Sequence, residues 1–587
     1  MTDAASQTEP LLVIDGLSVR YAGRREPAID AVDLAVLAGE RVGVTGRTGA
    51  GKSTLALAAG GFIPRVVRAK LAGTVHIDGI DATTLEPAAL VGRVGLIFAT
   101  PANQLSASKQ SVREELAFGL ENLGVDRAEM DARIDGVLDR LGIAHLADRE
   151  PFALSGGEQQ RVAIASIVAM GTKVLVLDEP TAQLDPAGTA DVGALLAELA
   201  AEGTAVLCVE HDPTILGAMD RVVVIDGGRV IGIDRPGVAL GLSIAQSVGL
   251  PSPTMVRLSE IAGVDPANAF DVEAVTKGLL ASTPTDTSVP SAEHPGQTWM
   301  ATRQRSSAAL EIDSLVHRYP NGVEAICGVS LSIPAGQSVA ILGQNGSGKT
   351  TLVKHLNGLL RANAGEVRID GRATTAERVD QLAATVGFVF QNPDDQLFER
   401  SVEREIAFGP RNLGFAATEV TALIERSLKA VGLIAERTTN PYDLDLSRRK
   451  LVALASVLAM DPAILVLDEP TTGQDSEGIA RVGAVIAAWR AAGRTAIAIT
   501  HDMEFAATSF ERIIVMRLGS VIADGPPAEV LTVANSALLA STGIKPPPIA
   551  LVAAAAALER TPLDVDGLLT ALRARSWNQT PQGRIER

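Results

Sequence analysis

The sequence predicts two tandem α/β domains in which apolar strands alternate with helices. The chain repeats itself: SVREELAFGLENLG at residues 111–124 returns as SVEREIAFGPRNLG at residues 401–414. Each copy also carries a glycine-rich loop between a β-branched strand and a helix, and a later apolar strand that ends in two carboxylates. The period is far too long for a solenoid, so we expect one duplicated domain.

Composition narrows the class of protein. With 587 residues, the chain has room for about two to four domains. Its net charge of −17 disfavours a nucleic-acid-binding surface, which needs a basic face. The chain has no run of eighteen apolar residues, and its N-terminus lacks the layout of a secretion signal, so we expect a soluble cytosolic protein. Cys208 and Cys327 are expected to be reduced and inert.

Sequence patterning also predicts the domain boundaries. Each half opens with strands of alternating polarity, at residues 11–21 and 309–319. Between the halves, a stretch rich in Ser, Thr and Pro shows no apolar period, which favours a flexible tether over a fusion scar or a degraded helix. The predicted parts are a first domain (11–235), its C-terminal extension (236–281), a linker (282–308), a second domain (309–526) and its extension (527–576).

The glycine-rich loops, GRTGAGKST and GQNGSGKTT, both fit the pattern G-x-x-x-x-G-K-[ST]. Glycines let backbone N–H groups wrap phosphates, the lysine neutralises the outer phosphates, and the Ser or Thr hydroxyl reaches Mg²⁺. The predicted nucleotide-binding residues are Gly46, Gly49, Gly51, Lys52, Ser53 and Thr54 in the first half, and Gly343, Gly346, Ser347, Gly348, Lys349, Thr350 and Thr351 in the second.

Each half also contains a later apolar strand that ends in two carboxylates, VLVLDEP in the first half and ILVLDEP in the second. The edge of an α/β sheet at which strands end is where ligands bind. Beside a phosphate loop, we expect Asp178 and Asp468 to hold Mg²⁺ and Glu179 and Glu469 to act as general bases, in preference to capping the next helix.

Two further pairs of residues complete the predicted sites. His211 and His501 each follow an apolar strand, which places an imidazole near the γ-phosphate; the alternative is a simple residue at the end of a strand. Tyr21 and Tyr319 are candidates for stacking on adenine, with a place in the core as the alternative.

The segment LSGGEQQ at residues 154–160 precedes an apolar helix. A serine and two glycines at the start of a helix leave N–H groups facing outward beside the positive end of the dipole. Ser155, Gly156 and Gly157 are therefore predicted to bind phosphate, although a Ser-Gly-Gly turn can also simply cap a helix.

Together these motifs resemble the ATP-binding cassette (ABC) ATPases, and the resemblance covers both halves. It implies two nucleotide-binding domains, each with a P-loop RecA-like core, a β subdomain and a helical subdomain, and each followed here by a small helical extension. The run FVFQNPDDQLF at residues 388–398 is similar to the ATPase components of energy-coupling-factor (ECF) importers, which are usually separate chains. The resemblance implies that the two halves face each other head to tail, each ATP lying between the phosphate loop of one half and the LSGGEQQ segment of the other.

The second half departs from this pattern at one segment and the first half at one residue. Aligned without gaps, LSGGEQQRVAIAS falls on LDLSRRKLVALAS, so Asp445, Leu446 and Ser447 replace the Ser-Gly-Gly turn. Arg448 or Arg449 could compensate, because guanidinium suits phosphate. In the first half, Ala99 stands in place of Gln391, a residue that in the family contacts Mg²⁺ and the attacking water.

The resemblance places both departures at one ATP site. We call the LSGGEQQ segment and its counterpart in the second half the signatures. The first site combines the broken signature at residues 445–449 with Lys52, Ala99, Asp178, Glu179 and His211. The second combines Ser155, Gly156 and Gly157 with Lys349, Gln391, Asp468, Glu469 and His501. We therefore predict one hydrolysing site and one site that mainly holds ATP.

The resulting hypothesis is a motor subunit of an ECF-type importer for a vitamin or a transition-metal ion, with ATP and Mg²⁺ as cofactors. The resemblance implies integral-membrane partners bound through coupling helices, a separate substrate-binding membrane subunit, and a peripheral place on the cytoplasmic face. We expect a monomeric ATPase chain and no nucleic acid. The alternatives are a soluble tandem cassette acting on the ribosome or DNA, disfavoured by the acidic balance, and the fused ATPase of sugar importers, disfavoured by the QNPDDQ run.

Overall fold

The structure, a computed structural model, describes residues 9–84, 86, 89–182, 184–282 and 310–579. The chain divides into two compact units between Val275 and Thr276. Apart from Ser282, the predicted linker at residues 282–308 lies outside the described residues, so it stays a prediction, as do the other predicted domain bounds.

The first half contains two sheets. Its strands are β1 (Pro10–Tyr21), β2 (Ile29–Leu37), β3 (Arg41–Gly46), β4 (Ala69–Ile77), β5 (Ile80–Asp81), β6 (Val94–Ile97), β7 (Val174–Asp178), β8 (Ala205–Val209), β9 (Arg221–Asp226) and β10 (Arg229–Asp234). Its helices are α1 (Lys52–Ala59), α2 (Val112–Asn122), α3 (Arg127–Arg140), α4 (Gly156–Ala169), α5 (Pro186–Ala201), α6 (Pro213–Gly217), α7 (Pro236–Ala239), α8 (Leu242–Val248), α9 (Thr254–Ala262) and α10 (Val272–Ala281). An antiparallel sheet has the order β2-β1-β4-β5, and a six-stranded sheet, parallel except at β10, has the order β10-β9-β3-β8-β7-β6.

The second half repeats this arrangement. Its strands are β11 (Leu310–Arg318), β12 (Glu324–Ile333), β13 (Ser338–Leu342), β14 (Ala364–Ile369), β15 (Arg372–Ala373), β16 (Val386–Val389), β17 (Ile464–Asp468), β18 (Thr495–Ile499), β19 (Arg512–Arg517) and β20 (Ser520–Gly525). Its helices are α11 (Lys349–Leu356), α12 (Val379–Ala383), α13 (Val402–Asn412), α14 (Ala417–Val431), α15 (Leu446–Ala459), α16 (Ser476–Ala491), α17 (Met503–Ser509), α18 (Pro527–Val530), α19 (Ser536–Ala540), α20 (Pro548–Ala555) and α21 (Val565–Gln579). Its sheets have the orders β12-β11-β14-β15 and β16-β17-β18-β13-β19-β20. In the described part of the chain, no helix combines the length and the apolar character needed to cross a membrane.

Apart from the edge strands β10 and β20, the six-stranded sheets are buried on both faces. In β7, Val174 and Val176 pack in the cluster shared with the antiparallel sheet, whereas Leu175 and Leu177 pack among the helices on the other face. A strand covered on both sides reads as a continuous apolar run, which is why VLVL precedes the carboxylates. The parallel register brings the end of β7 beside the end of β8, so that Asp178 pairs with Val209 and the polar residues collect at one sheet edge. The predicted class, two tandem α/β domains each followed by short helices, is confirmed.

Candidate active sites

In each half a glycine-rich loop joins an inner strand of the six-stranded sheet to a helix. A Cβ at Gly46 or Gly51 would overlap a neighbouring backbone carbonyl oxygen, so the loop between β3 and α1 requires glycine there. The same overlap occurs at the matching residues of the second half, Gly343 and Gly348. The predicted loop residues therefore lie between the strand end and the first helical turn, and these are Gly46, Gly49, Gly51, Lys52, Ser53, Thr54, Gly343, Gly346, Ser347, Gly348, Lys349, Thr350 and Thr351.

The two loop lysines fold back over their own loops. Lys52 Nζ donates to the carbonyl oxygens of Gly46, at 2.9 Å, and Arg47, at 3.0 Å. Lys349 makes the same pair of bonds in the second half, with Gly343 and Gln344. Each ammonium group is thus held inside the loop, where it can neutralise the charge of a phosphate group.

A hydroxyl group and a carboxylate meet at the start of each loop helix. Ser53 Oγ lies 3.2 Å from Asp178 Oδ1, and Thr350 Oγ1 lies 3.4 Å from Asp468 Oδ1. Burial raises the pKa of Asp178 to about 6, with a further contribution from the charge of Glu179, and the pKa of Asp468 is raised to about 6 in the same way. A buried carboxylate crowded by a second one is stabilised by a cation, and Mg²⁺ takes oxygen ligands of this kind. These four residues therefore fit the magnesium ion that accompanies a nucleotide.

The structure brings each predicted general base together with its predicted histidine. His211 Nε2 lies 3.4 Å from Glu179 Oε1, and His501 Nε2 lies 2.8 Å from Glu469 Oε1. The side chain of Glu179 is 29% exposed, against 6% for Glu469. Burial works to raise the pKa of Glu469, but His501 and Lys349 outweigh it and hold that pKa below its ordinary value. Glu469 is therefore the more enclosed base, and it is ionised, as proton abstraction requires.

Both predicted adenine-stacking tyrosines contact the first turn of a loop helix. The Tyr21 hydroxyl lies 3.2 Å from Thr54 Oγ1, and the Tyr319 hydroxyl lies 3.0 Å from Thr351 Oγ1. Both rings are partly buried, and Tyr21 also packs against the hydrophobic core of the first half. Stacking on adenine stays a prediction.

The signature helices α4 and α15 begin at matching residues, and in both the first residue before the helix caps it through its side chain; α4 has in addition a capping box, in which Glu158 accepts from the Ser155 N–H at 2.8 Å. Ser155 Oγ accepts a hydrogen bond from the Glu158 N–H at 3.4 Å, and Asp445 Oδ1 accepts one from the Arg448 N–H at 2.9 Å. Ser and Asp are both favoured at this position because their oxygens satisfy an otherwise unpaired N–H group. The change from Ser to Asp therefore leaves the helix start in place.

The first turns of these helices differ chemically. α4 begins with Gly156 and Gly157, which have no side chains to cover the N–H groups at the helix end. α15 begins with Leu446, which is 42% exposed, and continues with buried Ser447, whose hydroxyl donates to Gln474 Oε1 at 2.7 Å. The first turn of α4 leaves N–H groups uncovered at two glycines, although the Glu158 carboxylate also lies in this turn, bonded to Ser155. At α15 a carboxylate occupies the capping position itself, and a branched side chain follows it.

The two arginines that could restore phosphate binding face carboxylates in their own domain. Arg449 Nη1 lies 2.7 Å from Asp394 Oδ1. Arg448 lies 3.6 Å from Glu436 and 3.8 Å from Asp445. Recruiting either guanidinium group to a phosphate would first require breaking an ion pair, so this geometry does not favour compensation.

In each half, the segment that begins at Ala99 or Gln391 is anchored by a glutamine five residues later. The sequence patterns did not single out these two glutamines. Gln104 Oε1 accepts the Phe98 N–H at 3.2 Å, and its Nε2 donates to the Ala163 carbonyl on α4 at 3.1 Å. In the second half the same bonds join Gln396 to Phe390 and Ala453. The signal was present, because both runs, ATPANQL and QNPDDQL, keep this glutamine. The Gln391 side chain is exposed.

The sequence patterns also did not single out Glu210, a buried carboxylate directly before His211 in the chain. Glu210 is 3% exposed, and its two oxygens accept four hydrogen bonds, from the N–H and hydroxyl of Thr181 and from the N–H groups of His211 and Asp212. At the matching residue, Thr500, the side-chain hydroxyl bonds to two uncharged groups, the Thr471 hydroxyl and the Asp502 N–H. The sequence signal is the difference between VEHD and ITHD at the end of otherwise similar strands.

We expect Glu210→Ala to lower the free energy of unfolding of the first domain by about 2–4 kcal/mol, because four hydrogen-bond donors, two of them buried, lose their acceptor. Calorimetry of the full chain measures this as a lower Tm for the domain. Thr500→Ala is the matched control and should cost about 1 kcal/mol, since it removes only hydrogen bonds between uncharged groups. Equal losses from the two substitutions would contradict the assignment.

Comparison with known proteins agrees with this geometry. The family described as ABC transporter matches residues 29–182 and 326–472. A Methanosarcina acetivorans protein with the provisional name ABC transporter ATP-binding protein is 36% identical over 98% of this chain and 95% of its own length. A protein of Caldanaerobacter subterraneus with the same provisional name is 32% identical over 96% of this chain and 99% of its own. The solved structure of cbiO1 from Clostridium perfringens, described as part of the ABC transporter complex cbiONQ, is 33% identical over 38% of this chain and 90% of its own, with a TM-score of 0.36.

Both domains carry the phosphate loop and the Asp–Glu strand end, and the family match falls once on each half. Full-length relatives extend the similarity across the whole chain. The chain therefore belongs to the ABC transporter family, as an ATP-binding subunit whose hydrolysis of ATP is coupled to transport.

Proposed function

We propose that this chain is the ATP-hydrolysing motor of an ECF-type importer for a vitamin or a transition-metal ion, with one hydrolysing site and one that mainly holds ATP. The observation that carries the division of labour is the start of α15, where Asp445 and Leu446 stand in place of a serine and a glycine. A negative charge and a branched side chain there repel and obstruct a phosphate group.

In this proposal the two halves meet head to tail around two ATP molecules. The hydrolysing site uses the loop and catalytic residues of the second domain, completed by Ser155, Gly156 and Gly157 of the first. The holding site uses the loop of the first domain, completed by the degenerate start of α15. The holding site also has Ala99 at the position of Gln391 and the more exposed of the two general bases. In this proposal the degenerate start of α15, the missing glutamine and the exposed base all weaken the same site.

At the hydrolysing site, each residue has a distinct task. Lys349 neutralises phosphate charge, and Glu469 takes the proton of the attacking water while His501 lies beside its carboxylate and the γ-phosphate. Thr350, Asp468 and Gln391 are the proposed oxygen ligands of Mg²⁺, which, when bound, supplies charge neutralisation. At the holding site, Ser53 and Asp178 would hold the ion.

Exposed aromatic side chains mark where a membrane subunit would dock. Phe398 and Phe408 form an edge-to-face pair 4.7 Å apart, and they are 56% and 44% exposed. Phe118 matches Phe408 and is 42% exposed, with Lys109 above its ring at 5.5 Å. We propose that these faces receive coupling helices of integral-membrane partners, which place the chain on the cytoplasmic face of the membrane.

The importer type rests on the run FVFQNPDDQLF and on the short helices that follow each cassette. The transported molecule would be selected by a separate membrane subunit. Action on the ribosome or DNA is the alternative, and the net charge of −17 disfavours it.

Affinity purification of the full chain from detergent-solubilised membranes, with mass spectrometry of the retained proteins, tests the class of function. We expect integral-membrane proteins to be retained and to stimulate ATP hydrolysis. The double variant F398S/F408S should lose both effects. Val323→Ser is the matched control, because Val323 is also 56% exposed but lies in the β11–β12 turn. Retention of ribosomal proteins in place of membrane proteins would refute the importer.

A further inference from the structure

The degenerate signature helix α15 carries a buried lysine that contacts the catalytic strand of its own domain. Lys450 is 8% exposed, and its Nζ donates to the backbone carbonyl oxygen of Glu469 at 3.0 Å. The matching residue in the first domain is Gln160, whose Nε2 instead lies 3.5 Å from the carbonyl oxygen of Phe98. The contact between the signature helix and the general base is therefore present in the second domain and replaced in the first.

This contact fixes an unusual backbone turn. Glu469 has a φ of +50°, in the left-handed region that non-glycine residues rarely adopt, and its N–H donates to the Ile499 carbonyl at 3.0 Å. Glu179 adopts the same turn with a φ of +49°, but its carbonyl accepts a 3.3 Å bond from the backbone N–H of Ala182. The ammonium group makes a shorter, charge-assisted bond, which is the stronger kind.

The surroundings explain why a lysine is tolerated in this buried place. Desolvation lowers the pKa of Lys450 to about 8, and the nearby carboxylates of Glu469 and Asp468 offset part of that effect. The ammonium form therefore predominates at neutral pH, so the buried charge faces both a carbonyl dipole and two carboxylates.

We propose that Lys450 is a positioning residue for hydrolysis: it holds the turn from which Glu469 projects toward the attacking water. The inference rests on the proposed function, in which the second domain hydrolyses ATP. It also gives α15 a task inside its own domain, although the start of this helix no longer suits a phosphate group.

The test measures steady-state ATP hydrolysis and binding of a fluorescent ATP analogue in full-length chains that carry Glu179→Gln, so that turnover arises from the second domain. We expect Lys450→Met to lower kcat about tenfold, because a general base that is no longer held in line loses transition-state stabilisation. The KM for ATP and the affinity for the analogue should stay unchanged. Lys450→Gln keeps a shorter, uncharged donor and should show a smaller loss of kcat.

Lys429→Met, at an exposed lysine on α14, is the control and should leave kcat unchanged. Lys450→Gln is a fold-preserving second variant, because glutamine occupies this position in the first domain. Parent-level kcat in both Lys450 variants, or a KM that rises in step with the loss of kcat, would overturn the proposal. Complete loss of turnover from Glu179→Gln alone would instead contradict the division of labour, and the Lys450 variants would then be compared in the otherwise unchanged chain.

Discussion

Glu469→Gln is expected to lower ATP hydrolysis by about 100-fold or more, the size typical of a lost general base, whereas Glu179→Gln should leave most of the activity. Glutamine has nearly the shape of glutamate but cannot accept the proton of the attacking water. Glu469 is the more buried of the two bases and lies closer to its histidine. In the proposed head-to-tail arrangement, its site is completed by the intact turn of α4. Phosphate release by the purified full chain measures the difference.

Binding of a fluorescent ATP analogue provides the control for this experiment. Both glutamine variants should bind the analogue as the parent chain does, because neither substitution alters a phosphate loop. Equal losses of turnover in the two variants would contradict the division of labour, and a larger loss from Glu179→Gln would reverse it.

The second large effect is expected at the start of α4. The double substitution Ser155→Asp and Gly156→Leu copies the chemistry of α15 and should lower turnover by about 100-fold, comparable to removing a preorganised donor from a reacting anion. An aspartate can cap the helix as Asp445 caps α15, with a 2.9 Å bond, but it also places a second carboxylate beside Glu158, so we expect a lower Tm for a helix that still forms. Turnover and thermal melting of the same preparation separate loss of function from loss of fold.

The reciprocal variant restores the turn in the second domain through Asp445→Ser, Leu446→Gly and Ser447→Gly. It should leave turnover at or above that of the parent chain, because in the proposed arrangement the hydrolysing site does not use the start of α15. A loss of turnover as large as that caused by altering α4 would show that both signatures are needed, and it would remove the basis for assigning α15 to a holding site.

The phosphate loops and the Asp–Glu pairs could be located from the sequence because each is a local segment. Each phosphate loop and each Asp–Glu pair lies in a short segment at the end of an apolar strand, and the parallel sheet then brings those ends to one edge. The fold class followed from the same segments together with the internal repeat.

Contacts between segments distant in sequence could not be predicted in this way. The ion pair of Arg449 with Asp394 joins residues far apart in the chain, and it disfavours a compensation that the sequence alone left open. The bond from Lys450 to Glu469 likewise depends on how α15 packs beside β17. From the sequence alone, arginine or lysine at these positions is indistinguishable from an ordinary polar residue of a helix. Their partners become known only from the packing of the helix.

The shared capping geometry of Ser155 and Asp445 has a consequence for how such chains diverge. Since either side chain terminates the helix properly, a lineage can discard the anion-binding chemistry of one copy with little effect on folding. Expression level and melting temperature are therefore blind to this kind of inactivation. A functional assay that distinguishes the two copies can tell a silent cassette from a working one.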